Sequence, residues 1–230
     1  MSLLARELDL SKSSLHGILH SLMEGKWLQK TDTGGFAFTS HFQNLLQQPA
    51  SKAQIKDTAR PFMDYLAEHI NESVFLGLKN ADKVVIQECV QGPKEMRISA
   101  RIGNGIPLLA GAIGKIFLSD LNQAQLKQFL KKNRPPKFTD KSICDLDKYR
   151  AEVEKARKQG YALDNEEYLP GVRAVAVPIK QNGRITAGLW IVGFSSQLNE
   201  KVLDRAREKL LDAGHIISRI LEKQSTGAEL

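Results

Sequence analysis

Cysteine is scarce in this 230-residue chain: Cys89 and Cys144 are the only two. Two distant thiols make no disulfide framework and no zinc-ligand pattern. Long apolar runs are missing too, since none reaches the roughly eighteen residues that a membrane helix needs. The N-terminus lacks the basic-then-apolar order of a signal peptide. These absences predict a cytoplasmic protein. Catalytic equipment is also thin. His16 and His20 are four apart, the spacing of a zinc pair on a helix, but no third ligand or helper acid accompanies them. The glycines of Gly111-Ala-Ile-Gly114-Lys115 are too close together for a phosphate loop, and Ile116 stands where a magnesium-binding Ser/Thr belongs. Cys89 sits in an alternating strand pattern as a small hydrophobe. Glu166 and Glu167, as strand neighbours, would face opposite ways. No nucleophile, base and oxyanion site come together. Neither an enzyme nor a cofactor is expected.

What is present is the composition of a soluble globular protein, with 42% hydrophobic and 26% charged residues. The length allows one small domain and one larger domain with a full core. The net charge of +7 is unevenly placed. Residues 1–52 carry five Lys/Arg and four acids, whereas residues 121–160 carry eleven Lys/Arg and five acids. The excess in the second stretch reads as solvated helix faces. Net charge therefore gives no support to nucleic-acid binding by the N-terminal segment, and pattern must carry that reading.

The pattern is informative. SLLAREL (2–8) has Leu3, Leu4 and Leu8 on one helical face. Asp9-Leu10 break it, and Ser11 is a good N-cap for a second helix. SKSSLHGILHSLMEGKWL then places Leu15, Ile18, Leu19 and Leu22 on one face. Lys12, Ser13, Ser14, His16, Gly17 and His20 are left outward. Small hydroxyls and a lysine in the first turn of a short helix suit a DNA major groove. Strands at 26–30 and 36–39, around Thr33-Gly34-Gly35, would make a wing.

Further along, 40–51 is polar with a thin apolar stripe and reads as a linker helix ending near Pro49. Residues 54–70 are helical, with a start or kink near Pro61. The period then changes to two: strands are expected at 72–79, 82–91 and 95–100. Helices follow at 108–118, 122–132 and 146–159, the last stopped by Gly160. Strands at 161–168, 172–180 and 184–193 come next, the last two joined by a tight turn at Asn182-Gly183. A long amphipathic helix occupies 198–222. The expected class is α+β: a winged helix-turn-helix at 1–39, a linker helix at 40–53, and a domain at 54–230 with a six-stranded, mostly antiparallel sheet flanked by helices.

Nearly the whole chain resembles the IclR family of bacterial transcriptional regulators. The resemblance is carried by SKSSLHGILHSLMEGKWL, by TARPFMDYLAEHINESVFL, and most specifically by GNGIPLLAGAIGKIFLSD (103–120) and GYALDNEEYLPGVRAVAVPIKQNGRITAGLWIVGF (160–194). It implies a winged helix, a linker helix and a GAF-related effector-binding domain. It further implies homodimers, often paired into homotetramers, on palindromic double-stranded operators, and small carboxylate or aromatic effectors. The family's DNA-binding domain has another helix ahead of SLLAREL, so the winged helix read here is partial. A ligand-binding sensor that does not bind DNA is the alternative reading. Where the family often has an arginine in the recognition helix, this chain has Gly17. Where family pockets often carry a cysteine and small hydroxyls, it has Ala174, Trp190 and Val192.

The chemistry of the residues places the effector pocket between the concave face of the sheet and the segment after Pro107. Gly111, Ala112 and Gly114 are small enough to let a ligand approach the backbone, and a helix N-terminus there is a seat for a carboxylate. Asp164 matches a family effector contact. The expected lining is Leu108, Leu109, Gly111, Ala112, Ile113, Asp164, Ala174, Trp190 and Val192. With Ala174, Trp190 and Val192 in place of polar groups, the pocket should favour a larger or aromatic carboxylate, or be partly filled.

Overall fold

The computed structural model describes residues 2–31, 34–39 and 50–226. It divides into two units, Met1–Gln48 with Ser225–Leu230, and Pro49–Gln224.

In the first unit, α1 (Ser2–Glu7) and α2 (Lys12–Glu24) are followed by the antiparallel pair β1 (Leu28–Lys30) and β2 (Phe36–Phe38). Ser11 caps α2, its Oγ accepting from the Ser14 N–H at 3.1 Å. Ala5, Leu15 and Leu19 form the small core, with Leu28 and Phe36 against it. The expected stripe of α2 is narrower than its sequence suggests. Ile18 is 46% exposed and Leu22 only half-buried. Among the described residues, the elements packed on α2 are too short to cover more than the i, i+4 pair Leu15 and Leu19. The expected linker helix at 40–53 falls mostly outside the described residues; of it, Ser51 caps the next helix.

The second unit opens with α3 (Lys52–Ile70), which holds Pro61 inside it and starts nine residues earlier than a helix beginning at that proline would. Ala59, Met63, Leu66 and Ala67 are buried on its inner face, while Pro61 lies on the exposed side. Burial on one face outweighs the one backbone bond that the proline deletes. Six strands follow: β3 (Ser73–Asn80), β4 (Lys83–Val90), β5 (Gly105–Pro107), β6 (Ala162–Asn165), β7 (Val172–Gln181) and β8 (Arg184–Phe194). Their order is β5-β4-β3-β8-β7-β6, with every neighbouring pair antiparallel. The helices are α4 (Gly111–Leu118), α5 (Gln123–Lys132), α6 (Leu146–Gln159) and α7 (Glu200–Thr226). None is long and apolar enough to cross a membrane, among the described residues.

Alternation along the strands sorts side chains into two cores. Val74, Leu76, Val175, Val177, Leu189 and Ile191 face α3 and α7. Phe75, Val84, Ile86, Ala174, Ala176 and Trp190 face α4, α5 and α6. One expected strand does not form. Residues 95–100 make no ladder, and β5 is formed by Gly105–Pro107 on β4 instead. Ile98 and Ala100 still pack inward, but from an irregular strap between β4 and β5. The strap is tethered at its start by Lys94, whose Nζ donates to buried Glu72 at 2.5 Å.

Candidate functional site

The β7–β8 hairpin brings Ala174 and Trp190 to one sheet face, in neighbouring strands. On β3, Phe75 is in register with Trp190, and their rings stack with centroids 5.5 Å apart. Gly77 lies against the indole edge: a Cβ there would stand 2.9 Å from Trp190 Cη2. This aromatic floor, the strap, the start of α4 and the loop after β6 enclose a cavity of about 230 Å³.

Seven of the nine expected residues line it: Gly111, Ala112, Ile113, Asp164, Ala174, Trp190 and Val192. Trp190 is both core and floor, since it is only 3% exposed. Leu108 and Leu109 do not line the cavity. The expected helix at 108–118 begins at Gly111, and the Ala110 N–H bonds back to the Pro107 carbonyl at 2.9 Å. Leu108 and Leu109 thus lie in a turn rather than on the helix. The turn buries Leu108 in the core and turns Leu109 toward Pro135 and Phe138. Sequence reading missed the strap residues Ile98, Ser99, Ala100 and Asn104, and also Phe75 and Tyr168. Alternation sorts Phe75 into one of two sets along its strand, and the β3–β8 register, with Phe75 opposite Trp190, is what puts it on the cavity face.

The polar end of the cavity is acidic. Asp164 is 5% exposed and its Oδ1 accepts from the Glu167 N–H at 2.7 Å. Burial, reinforced by the charge of Glu167, pushes its carboxyl up to about 6, against the lowering effect of two backbone N–H bonds and Lys115. Lys115 points away from the cavity. Its Nζ donates to the Leu163 carbonyl at 2.9 Å and to Glu167 Oε1 at 2.7 Å. This buried pair pins the loop after β6 to α4, next to Asp164 at the end of that strand. The phosphate-loop resemblance of 111–115 is thereby removed by geometry as well as by spacing. Glu166 follows β6 with a left-handed φ of 64° and pairs with Lys141 at 2.8 Å, so Glu166 and Glu167 do point apart. The reason is a turn rather than strand alternation. Behind the network, the buried Tyr149 hydroxyl has no hydrogen-bond partner; burial, then the charges of Glu167 and Asp164, push its pKa up.

In the first unit, Lys12, Ser13, Ser14, His16 and His20 are all exposed on α2. The Ser13 and Ser14 hydroxyls lie 2.9 and 2.8 Å from Ser11 Oγ, gathered around the helix N-terminus. His16 and His20 are stacked with centroids 6.4 Å apart, and His20 Nδ1 is 3.6 Å from Glu24. No group of three potential metal ligands occurs among the described residues.

Residues 47–219 match the family model described as "Bacterial transcriptional regulator IclR C-terminal". The HTH-type transcriptional regulator XynR of Escherichia coli K12 is 29% identical over 220 residues, covering 95% of this chain and 87% of that protein. The crystal structure of Thermotoga maritima IclR aligns with a TM-score of 0.69 and 26% identity, over 96% of this chain and 90% of that one. An IclR homologue from Microbacterium hydrocarbonoxydans, solved in complex with 4-hydroxybenzoate, shares the fold with a TM-score of 0.67 at 19% identity, over 94% and 88% of the two chains. The antiparallel sheet, its two helical layers and the family-model match lead to one conclusion: the chain belongs to the IclR family of bacterial transcriptional regulators.

Proposed function

We propose that this regulator represses transcription in the cytoplasm and that a small organic effector in the Trp190 cavity governs its hold on DNA. Lys12, Ser13, Ser14, His16 and His20 face the major groove. A single short helix reads few base pairs, so two copies, or two pairs of copies, bind a palindromic operator. The effector is an aromatic or a carboxylate small enough for one enclosed site. The observation that carries this reading is the cavity itself, apolar on its floor and polar at one end, as small-molecule sites are. An apolar cavity of about 150 Å³ suffices for benzene. A volume of about 230 Å³ therefore admits one substituted ring. The 4-hydroxybenzoate bound by the Microbacterium homologue is a ligand of that size class and a reasonable first probe.

The test is a titration of 4-hydroxybenzoate, followed by Trp190 fluorescence in a Trp27→Phe background. Ligand should change the emission and raise the melting temperature, by about 2.7 kcal/mol of added stability at a hundredfold excess over Kd. Ala112→Leu fills the cavity and should abolish the response while leaving the melting temperature of the free protein within a few degrees. A response that persists in Ala112→Leu would move the site elsewhere. Native mass spectrometry of freshly purified protein adds a search for any ligand that travels with it.

A further inference from the structure

Among the described residues, the cavity has an acid at its polar end and no base. Asp164 is the one charged residue among those that line it. The cation acting on Asp164 is Lys115 of α4. It is 1% exposed and already committed to the Leu163 carbonyl and Glu167, with Glu152 of α6 at 4.0 Å. Tyr149 of α6 faces the same cluster with a neutral phenol. Tyr168 follows Glu167 in the loop and lines the cavity. Among the described residues, Asp164 thus has one ammonium near it, shared between two glutamates and already committed to them.

The start of α4 lies directly against this carboxyl. Asp164 Oδ2 is 2.7 Å from the point where a Cβ of Gly111 would stand. Ala110, at the N-cap position, supplies no side-chain acceptor for the first N–H groups of the helix. An organic acid seated on those N–H groups brings its carboxylate beside that of Asp164. Two carboxylates in contact in an enclosed space do not both stay ionised; the pair holds one proton.

We infer that Asp164 determines the specificity of this cavity: an organic acid enters with one proton shared between its carboxylate and Asp164, and that proton is taken up from solvent. The inference rests on the effector reading above. Free Asp164 titrates near 6. Above that pH the free protein has lost the proton that the complex needs. Affinity for an acid therefore falls about tenfold for each further pH unit. A neutral amide of the same shape donates an N–H to the ionised Asp164 and escapes this dependence.

The probes are benzoate and its neutral isostere benzamide, titrated against the Trp27→Phe protein at pH 6.5 and 8.0. Benzoate affinity should drop by about thirtyfold between the two, and benzamide affinity by less than threefold. In Asp164→Asn the benzoate drop should vanish, leaving tighter benzoate binding at pH 8.0 than the unsubstituted Asp164 allows. Should that variant fold poorly, calorimetry at pH 7.5 in two buffers of different ionisation heat counts the protons on Asp164-intact protein, and the expected uptake is close to one. Benzoate binding that is equal at both pH values, or a drop that survives Asp164→Asn, overturns the inference and leaves the effector reading standing. If neither ligand alters Trp190 emission, the effector reading of the cavity fails and this inference fails with it.

Discussion

Gly114 has no side chain because the carbonyl oxygen of Leu108 occupies its place: a Cβ built there would stand 2.0 Å from that oxygen. On the facing strand, a Cβ on Gly188 would stand 2.2 Å from Ile113 Cδ1. These contacts let α4 lie close enough to the sheet to wall the cavity. The sequence reading had the right residues and, for one of them, the wrong beneficiary. Gly111, Ala112 and Gly114 were all expected to admit a ligand. Gly111 and Ala112 do border the cavity, whereas Gly114 makes room for the protein's own backbone. A flexible side chain could swing aside, but a carbonyl fixed in the turn at 108–110 cannot. Gly114→Ala should therefore cost about 3 kcal/mol or more, through overpacking against rigid backbone. Gly17→Ala, with nothing within 4 Å of the added methyl, should leave stability unchanged or raised by about 1 kcal/mol. Urea unfolding of the two variants side by side checks the contrast. Equal midpoints would mean that α4 can retreat and that the tight contact is not a constraint.

Elements were legible wherever periodicity and punctuation agreed. Alternation along 184–193 separates Trp190 from Leu189 and Ile191, and the two sets do face opposite cores. Gly160 ends α6 with a φ of 78°. Asn182 and Gly183 turn with φ of 52° and 71°, the left-handed pair that a tight hairpin uses. Periodicity misled where a partner strand was lacking. Residues 95–100 alternate like a strand and turn Ile98 and Ala100 inward, yet the edge of β4 is taken by Gly105–Pro107. A single sequence carries no signal for which segment wins an edge, so the strap side of the cavity could not be read. The hairpin offers a test at this scale. Gly183→Ala places a Cβ in a left-handed turn and should cost about 1 kcal/mol, or about 2–4 °C in melting temperature. Nothing lies within 4 Å of that Cβ, so the cost is conformational rather than steric. The strand register, and with it Trp190 emission, should stay as it is. A shifted emission would show that the turn sets the register of the cavity floor.

At the scale of the whole molecule, the basic excess and the helix proposed to read DNA fall in different units. The basic excess at 121–160 lies in the second unit, where Lys127, Lys131, Lys132, Lys155 and Lys158 are exposed on α5 and α6. The first unit is nearly neutral in sequence, so the DNA contact proposed for it rests on a few placed groups. Lys12 is the most telling. It opens α2, whose first turn holds no acid. A cation at a helix N-terminus opposes the helix dipole, at a cost of about 0.3–1 kcal/mol. A phosphate arriving at the same N–H groups reverses that sign, because Lys12 and the dipole then act on it together. Lys12→Ala should thus move two measurements in opposite directions. The free protein should melt slightly higher. Binding to any duplex should weaken, with the slope of log K against log salt flattened by about 0.9. The serines should behave differently, since a hydroxyl reads base edges as well as phosphates. Ser13→Ala with Ser14→Ala should lower affinity for an operator obtained by in vitro selection and leave the salt slope alone. Ser11 is kept in both variants, so that α2 retains its cap. Anisotropy titrations at several salt concentrations separate the two behaviours. Unchanged DNA affinity in both variants would remove the first turn of α2 from the groove, and the reading surface would have to be sought on another face of the first unit.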